Sequence, residues 1–93
     1  MKASIRVPYF EIGTKNYIYG DEVLKLALVA DAAAEKYDID IIFITPCTEI
    51  RRVCENTKRL IVFAPYMDTL RPGRGMADIL PEGLKAAGAR GVV

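Results

Sequence analysis

Apolar positions fall into two alternating patterns along the chain. DIIFIT at 40–45 and LIVFAP at 60–65 are short continuous runs, as expected of strands covered on both faces of a parallel sheet. Between the runs the spacing changes to that of a helix. Val23, Leu26, Ala27, Ala30, Ala33, Ala34 and Tyr37 form one stripe, and Asp21 stands ahead of it as an N-cap. A first strand is predicted over Ile5–Ile12, with Pro8 near its middle removing one ladder donor, followed by the loop GTKNYIYG at 13–20. Pro46 closes the second strand, Asp40–Thr45. Thr48 then caps a short helix, TEIRRVCEN, that turns Ile50, Val53 and Cys54 inward. The third strand covers Leu60–Pro65. After the loop YMDTLRPGRGMAD a third helix spans Ile79–Ala87, with Pro81 in its first turn and Gly88 ending it, and Gly91–Val93 opens a fourth strand.

The order βαβαβαβ predicts a parallel α/β architecture, either a doubly wound open sheet or a (βα)8 barrel. No GxGxxG follows the first strand and no GxxxxGK[ST] occurs, which disfavours a nucleotide-binding open sheet. The loop after a strand is where such units keep their chemistry, and the chain stops on Val93, where the fourth strand would deliver residues to a site. Residues 1–93 are therefore expected to be the front part of one larger α/β domain.

Composition narrows the classes. Hydrophobic residues make up 52% of the chain, more than the usual ~45–50%, which suits strands buried on both faces. Thirteen basic and 12 acidic residues are interspersed to a net +1, so neither nucleic acid nor an anionic membrane surface is an expected partner. The N-terminus lacks a sustained apolar core and the longest apolar run, IIFI, is far too short to span a bilayer, so a cytoplasmic chain is expected. With no histidine and no CxxC, no metal site is expected. If Cys47 and Cys54 share a helix, their Cα atoms stand about 10 Å apart at 1.5 Å rise per residue, too far for a disulfide.

Several side chains are candidates for chemistry. Lys15 follows the first strand, Glu11 lies near that strand's end, and Arg71 and Arg74 flank a Pro-Gly turn suited to an anion. Asp68 is expected to tie its loop down through local backbone bonds, and Cys47 is the candidate reactive thiol. Tyr9, Phe10, Tyr17 and Tyr19 are expected to pack, since no basic stripe accompanies them.

Lys15, Tyr17 and Gly20 give K-x-Y-x-x-G after the first strand, and DIIFITPCTEIRRVCENT follows. Pro72-Gly73, Ile79-Leu80-Pro81-Glu82, Lys85, Ala87-Gly88-Ala89 and Gly91 then give PGxxxxxILPExxKxAGAxGxx. With these motifs the chain resembles the triose-phosphate isomerase family, in its short archaeal-type branch and sugar-phosphate isomerase relatives. The resemblance implies a partial (βα)8 TIM barrel, about the first three and a half βα units, from an aldose–ketose sugar-phosphate isomerase acting through an enediol(ate). It implies a phosphorylated ketose or aldose substrate, no cofactor, and Lys15 as the cation that offsets phosphate and enediolate charge. The family carries an asparagine two residues before that lysine. Gly13 stands there instead, which implies an altered substrate contact, such as a four-carbon ketose phosphate. The family's electrophilic histidine would follow Val93 and its glutamate base lies further on, so the 93-residue chain is expected to be inactive alone. The loop Tyr66–Ala77 corresponds to the family's subunit-bridging loop and implies a homo-oligomer. Tyr66 and Met76 stand where the family has polar groups. The rival reading is a non-catalytic α/β half-barrel module that self-associates or pairs with another chain.

Overall fold

The computed structural model describes residues 4–93. Its elements are β1 (Tyr9–Gly13), α1 (Asp21–Tyr37), β2 (Asp40–Ile44), α2 (Ile50–Asn56), β3 (Ile61–Ala64), α3 (Pro81–Ala87) and β4 (Gly91–Val92), with a 3-10 turn at Cys47–Glu49. All strand pairs are parallel and the sheet order is β1-β2-β3-β4. A doubly wound sheet reverses its strand order at a switch point. Here spatial order follows chain order without reversal, as in consecutive units of a (βα)8 barrel.

Strand register decides which residues the helices cover. Ile12 pairs with Phe43, Phe43 with Val62, and Ala64 with Val92. These residues join Ile41 in the core with Val23, Ala27, Ala30 and Ala34 of α1, Ile50 and Val53 of α2, and Leu84 of α3. The alanines let α1 approach the sheet closely, while Phe43, Ile50 and Val62 supply burial worth about 1.5–3 kcal/mol each. The opposite face carries Tyr9, Glu11, Ile42, Ile44 and Phe63, which line a hollow of about 280 Å³.

Element ends depart from the sequence expectation for local reasons. β1 begins only at Tyr9, directly after Pro8, which has no N–H to give a ladder. Asp21 is the first helical residue rather than the N-cap. Gly20 precedes the helix at φ 61°, and Asp21 instead accepts an ion-pair hydrogen bond from Arg52 at 2.7 Å. Thr48 does not cap α2, because it lies inside the 3-10 turn and its hydroxyl meets Glu49 Oε2 at 3.3 Å. α3 starts at Pro81, since Ile79 spends its N–H on Asp68 and Leu80 is extended. Tyr37 is 63% exposed, one residue before Asp38 turns left-handed, and the Lys36 ammonium lies 5.3 Å from its ring centroid.

Two carboxylates hold the strand entries. Asp40, 1% exposed at the start of β2, accepts from the Arg6 backbone N–H at 2.7 Å and from its guanidinium at 3.3 Å. Asp31 on α1 accepts from the backbone N–H groups of Lys58, Arg59 and Leu60 at 3.1, 2.6 and 3.0 Å, fixing the turn into β3. Removing that carboxylate strands backbone donors in the turn. Asp31→Ala is expected to lower stability by about 1–3 kcal/mol in urea unfolding, with Asp31→Asn recovering part of the loss.

Candidate functional site

The carboxyl ends of β1, β2 and β3 surround a cleft of about 480 Å³. Gly13, Lys15 and Asn16 come to it from the turn after β1, Pro46 and Cys47 from the turn after β2, and Pro65 from the end of β3. In barrels of parallel strands this is the end that hosts chemistry. Among the described residues that line the cleft, Lys15 has the only charged side chain, so the site presents positive charge within mostly apolar walls.

Lys15 sits in the cleft because of the backbone before it. The β1–β2 ladder runs one residue past the strand, with Thr14 N–H donating to Ile44 O at 3.0 Å. Lys15 then adopts φ 52°, a left-handed conformation that costs a residue with a Cβ roughly 1–2 kcal/mol. Among the described residues only Asp38, which closes the C-terminus of α1, shares this feature without being glycine. Thr14 and Thr45 are both buried beneath the turn. The Thr14 hydroxyl donates to Lys15 O at 3.1 Å and lies 3.4 Å from Thr45 Oγ1.

Gly13 has no atom within 4 Å of the place a Cβ would occupy, so the wall beside Lys15 is open there. Cys47 is a half-buried free thiol in the 3-10 turn rather than on α2. Cys54 is also free, and burial, with a smaller contribution from Glu55, pushes its thiol up from the ordinary value. The structure does not bring the other candidates to the cleft. Glu11 lines the hollow on the sheet's inner face, while Arg71 and Arg74 share a recess of about 130 Å³ with Asp78 on the loop. Among the described residues no group of three His, Cys, Asp or Glu side chains is placed to hold a metal ion, and no helix is long and apolar enough to cross a membrane.

Asp68 anchors the loop, but through the backbone of Ile79 across its neck rather than through the local backbone bonds its sequence context predicts. Its N–H donates to Ile79 O at 2.7 Å, its Oδ2 accepts from Ile79 N–H at 2.7 Å, and its Oδ1 accepts from the Tyr66 hydroxyl at 2.6 Å. Those bonds, Tyr66 first and Ile79 second, hold the Asp68 carboxyl below its ordinary value. The same contact raises the Tyr66 phenol. A depressed carboxyl contributes stability above its unfolded value of 3.8 and loses it as pH falls through the lower folded value. For Tyr66 the sign is opposite: the neutral phenol's contribution is complete below 10.0 and is lost as pH rises through the raised folded value. Tryptic cleavage after Arg74, in the same loop, is therefore expected to be slow at pH 8, and faster at that pH in Asp68→Ala. A cleavage rate that does not change in this variant would remove Asp68 as the anchor.

Sequence reasoning missed Thr14, Thr45 and Asn16. The available signal was a polar residue at the end of each of two adjacent strands, Thr14 after YFEIG and Thr45 after DIIFI.

No family model matches the chain. Curated relatives do. The chain is 34% identical over 89 residues to the triosephosphate isomerase of Sulfolobus acidocaldarius, an overlap covering 94% of the chain and 38% of that protein. It is 31% identical over 91 residues to the triosephosphate isomerase of Saccharolobus solfataricus, and 35% identical over 91 residues to that of Caldivirga maquilingensis. Each of these overlaps covers 96% of the chain and 40% of the relative. The parallel sheet in chain order and the near-complete overlap agree, and the chain belongs to the triosephosphate isomerase family, spanning 38–40% of the length of these relatives.

Proposed function

We propose that the polypeptide carrying this chain is an aldose–ketose isomerase of triose phosphates, moving a proton between adjacent carbons through an enediol(ate). One observation carries the reading: among the described residues, Lys15 is the sole charged side chain lining the cleft at the strand ends. An ammonium there stabilises an oxyanion as it forms more than the neutral carbonyl it comes from, so it acts on the transition state. Gly13 would form the neighbouring wall of the substrate site, and the missing side chain there supports a four-carbon ketose phosphate as the alternative substrate. The reaction needs acid, base and electrostatics but no cofactor.

Within these 93 residues there is no histidine to act as electrophile, and no Asp or Glu side chain is among the described residues that line the cleft. The chain by itself is accordingly expected to be inactive. We further propose that the enzyme works in the cytoplasm, in glycolysis, as a homodimer joined through the Tyr66–Ala77 loop. Support for the loop's role is its anchored neck and the 95% exposed Met76 near its tip.

The test is proton exchange. The complete polypeptide, incubated in D2O with a triose phosphate, is expected to place deuterium on the carbon beside the carbonyl as it interconverts ketose and aldose. A parallel run with a four-carbon ketose phosphate measures what the space beside Gly13 admits. If neither substrate exchanges or isomerises, the isomerase reading is rejected.

A further inference from the structure

We infer that Thr14 and Thr45 form a positioning pair that holds Lys15 in its left-handed conformation and so aims its side chain at the cleft. The inference rests on the reading of Lys15 as the electrostatic residue of the site and adds what places it there.

A lysine in left-handed conformation persists only where its surroundings over-determine it. Asp38, the other such residue, is held by its place at the end of α1, where its backbone N–H closes on Ala34 O and Glu35 O. Lys15 has no helix to close. Its restraint comes from the residue before it. Thr14 is fixed at the backbone by donation to Ile44 O at 3.0 Å, and its hydroxyl reaches forward to Lys15 O at 3.1 Å. A hydroxyl carries one proton and two acceptor lone pairs. With Thr14 donating to Lys15 O, the Thr45 hydroxyl at 3.4 Å can donate back to Thr14 Oγ1, and one chain of hydrogen bonds then links β2 to the Lys15 carbonyl.

Burial makes the choice of threonine informative. Thr14 and Thr45 are 4% and 1% exposed, and valine would fill either space equally well. Buried hydroxyls are costly unless they are bonded. The hydroxyls at these two strand ends are therefore accounted for by each other and by the carbonyl of Lys15, not by packing.

The test uses the isotopically labelled chain and three variants: Thr14→Val, Thr14→Ser and the double variant Thr14→Val/Thr45→Val, which leaves no orphaned hydroxyl. The first readout is the intraresidue amide-to-Hα nuclear Overhauser effect of Lys15, which is strong when φ is positive. It is expected to be strong in the wild type and in Thr14→Ser, and weak in both valine variants. The second is titration with inorganic phosphate, where the valine variants are expected to bind about tenfold more weakly, as for loss of one ordinary hydrogen bond, and Thr14→Ser as the wild type.

Thr14→Val or the double variant keeping the strong effect at Lys15 overturns the inference, whatever happens to binding. Phosphate binding that is absent in the wild type, or unchanged in Lys15→Ala, refutes the role of Lys15 in anion binding instead. The comparison of Lys15 conformation then still decides the positioning claim. If Thr14→Val fails to fold, the double variant supplies the decisive comparison.

Discussion

Lys15→Ala in the complete polypeptide is expected to lower kcat/KM by about 10²–10³-fold, the loss typical of removing one group that stabilises a developing oxyanion. Among the described residues that line the cleft, no other charged side chain can take over its role. Lys15→Arg is expected to rescue poorly, because a planar, longer guanidinium does not put a compact charge at the same point. A third substitution separates chemistry from folding. Lys15→Gly removes the ammonium but also relieves the left-handed strain at φ 52°. Glycine's greater unfolded-state freedom, about 0.5–1 kcal/mol, offsets much of that gain, so the unfolding midpoint should stay near wild type while activity is lost. Lys15→Ala that retains activity within threefold of wild type would end the assignment.

Gly88→Ala carries the largest expected cost in stability. Gly88 ends α3 at φ 115°, a conformation closed to residues with a Cβ, and an added Cβ would lie 2.6 Å from both Cβ and Sγ of Cys54. Neither group can yield cheaply. The Gly88 N–H closes the helix on Lys85 O at 3.0 Å, and Ala89 N–H bonds Leu84 O at 3.0 Å, so the backbone is held from both sides. Strain and overpacking together are expected to cost about 2–4 kcal/mol in urea unfolding followed by circular dichroism. In the Cys54→Ala background the Sγ contact is gone while the Cβ contact and the positive φ remain. The cost of Gly88→Ala should therefore shrink there without vanishing. A loss below 0.5 kcal/mol in the wild-type background, well under the cost of either effect, would show that α3 and α2 can shift apart.

Element type and order were legible because the cues were local. The unbroken run DIIFI marks a doubly covered strand, and Gly88 marks a helix stop that its positive φ bears out. Ends were less legible, because tertiary partners set them. Nothing local to Ile79 reveals that Asp68, 11 residues earlier, claims its N–H and delays α3 to Pro81. The choice between an open sheet and a barrel also lay beyond periodicity, since both give alternating strands and helices. The motifs around Lys15 and Pro72–Gly91 pointed to the barrel, and the strand order agrees. In the site, a lysine after a strand could be named as a candidate. Its left-handed backbone and the hydroxyls beneath it could not, because Thr14 and Thr45 are 31 residues apart and meet only once β1 and β2 pair.

The match between strand order and chain order bears on how the molecule is made. From β2 onward each strand pairs with the strand before it, and the helices make their main contacts with near neighbours along the chain. As the polypeptide leaves the ribosome, every new strand finds its partner already exposed, and no earlier pairing must be undone to admit it. The nascent chain can therefore fold vectorially, one βα unit at a time, with the edge of β1 kept open from the first unit onward.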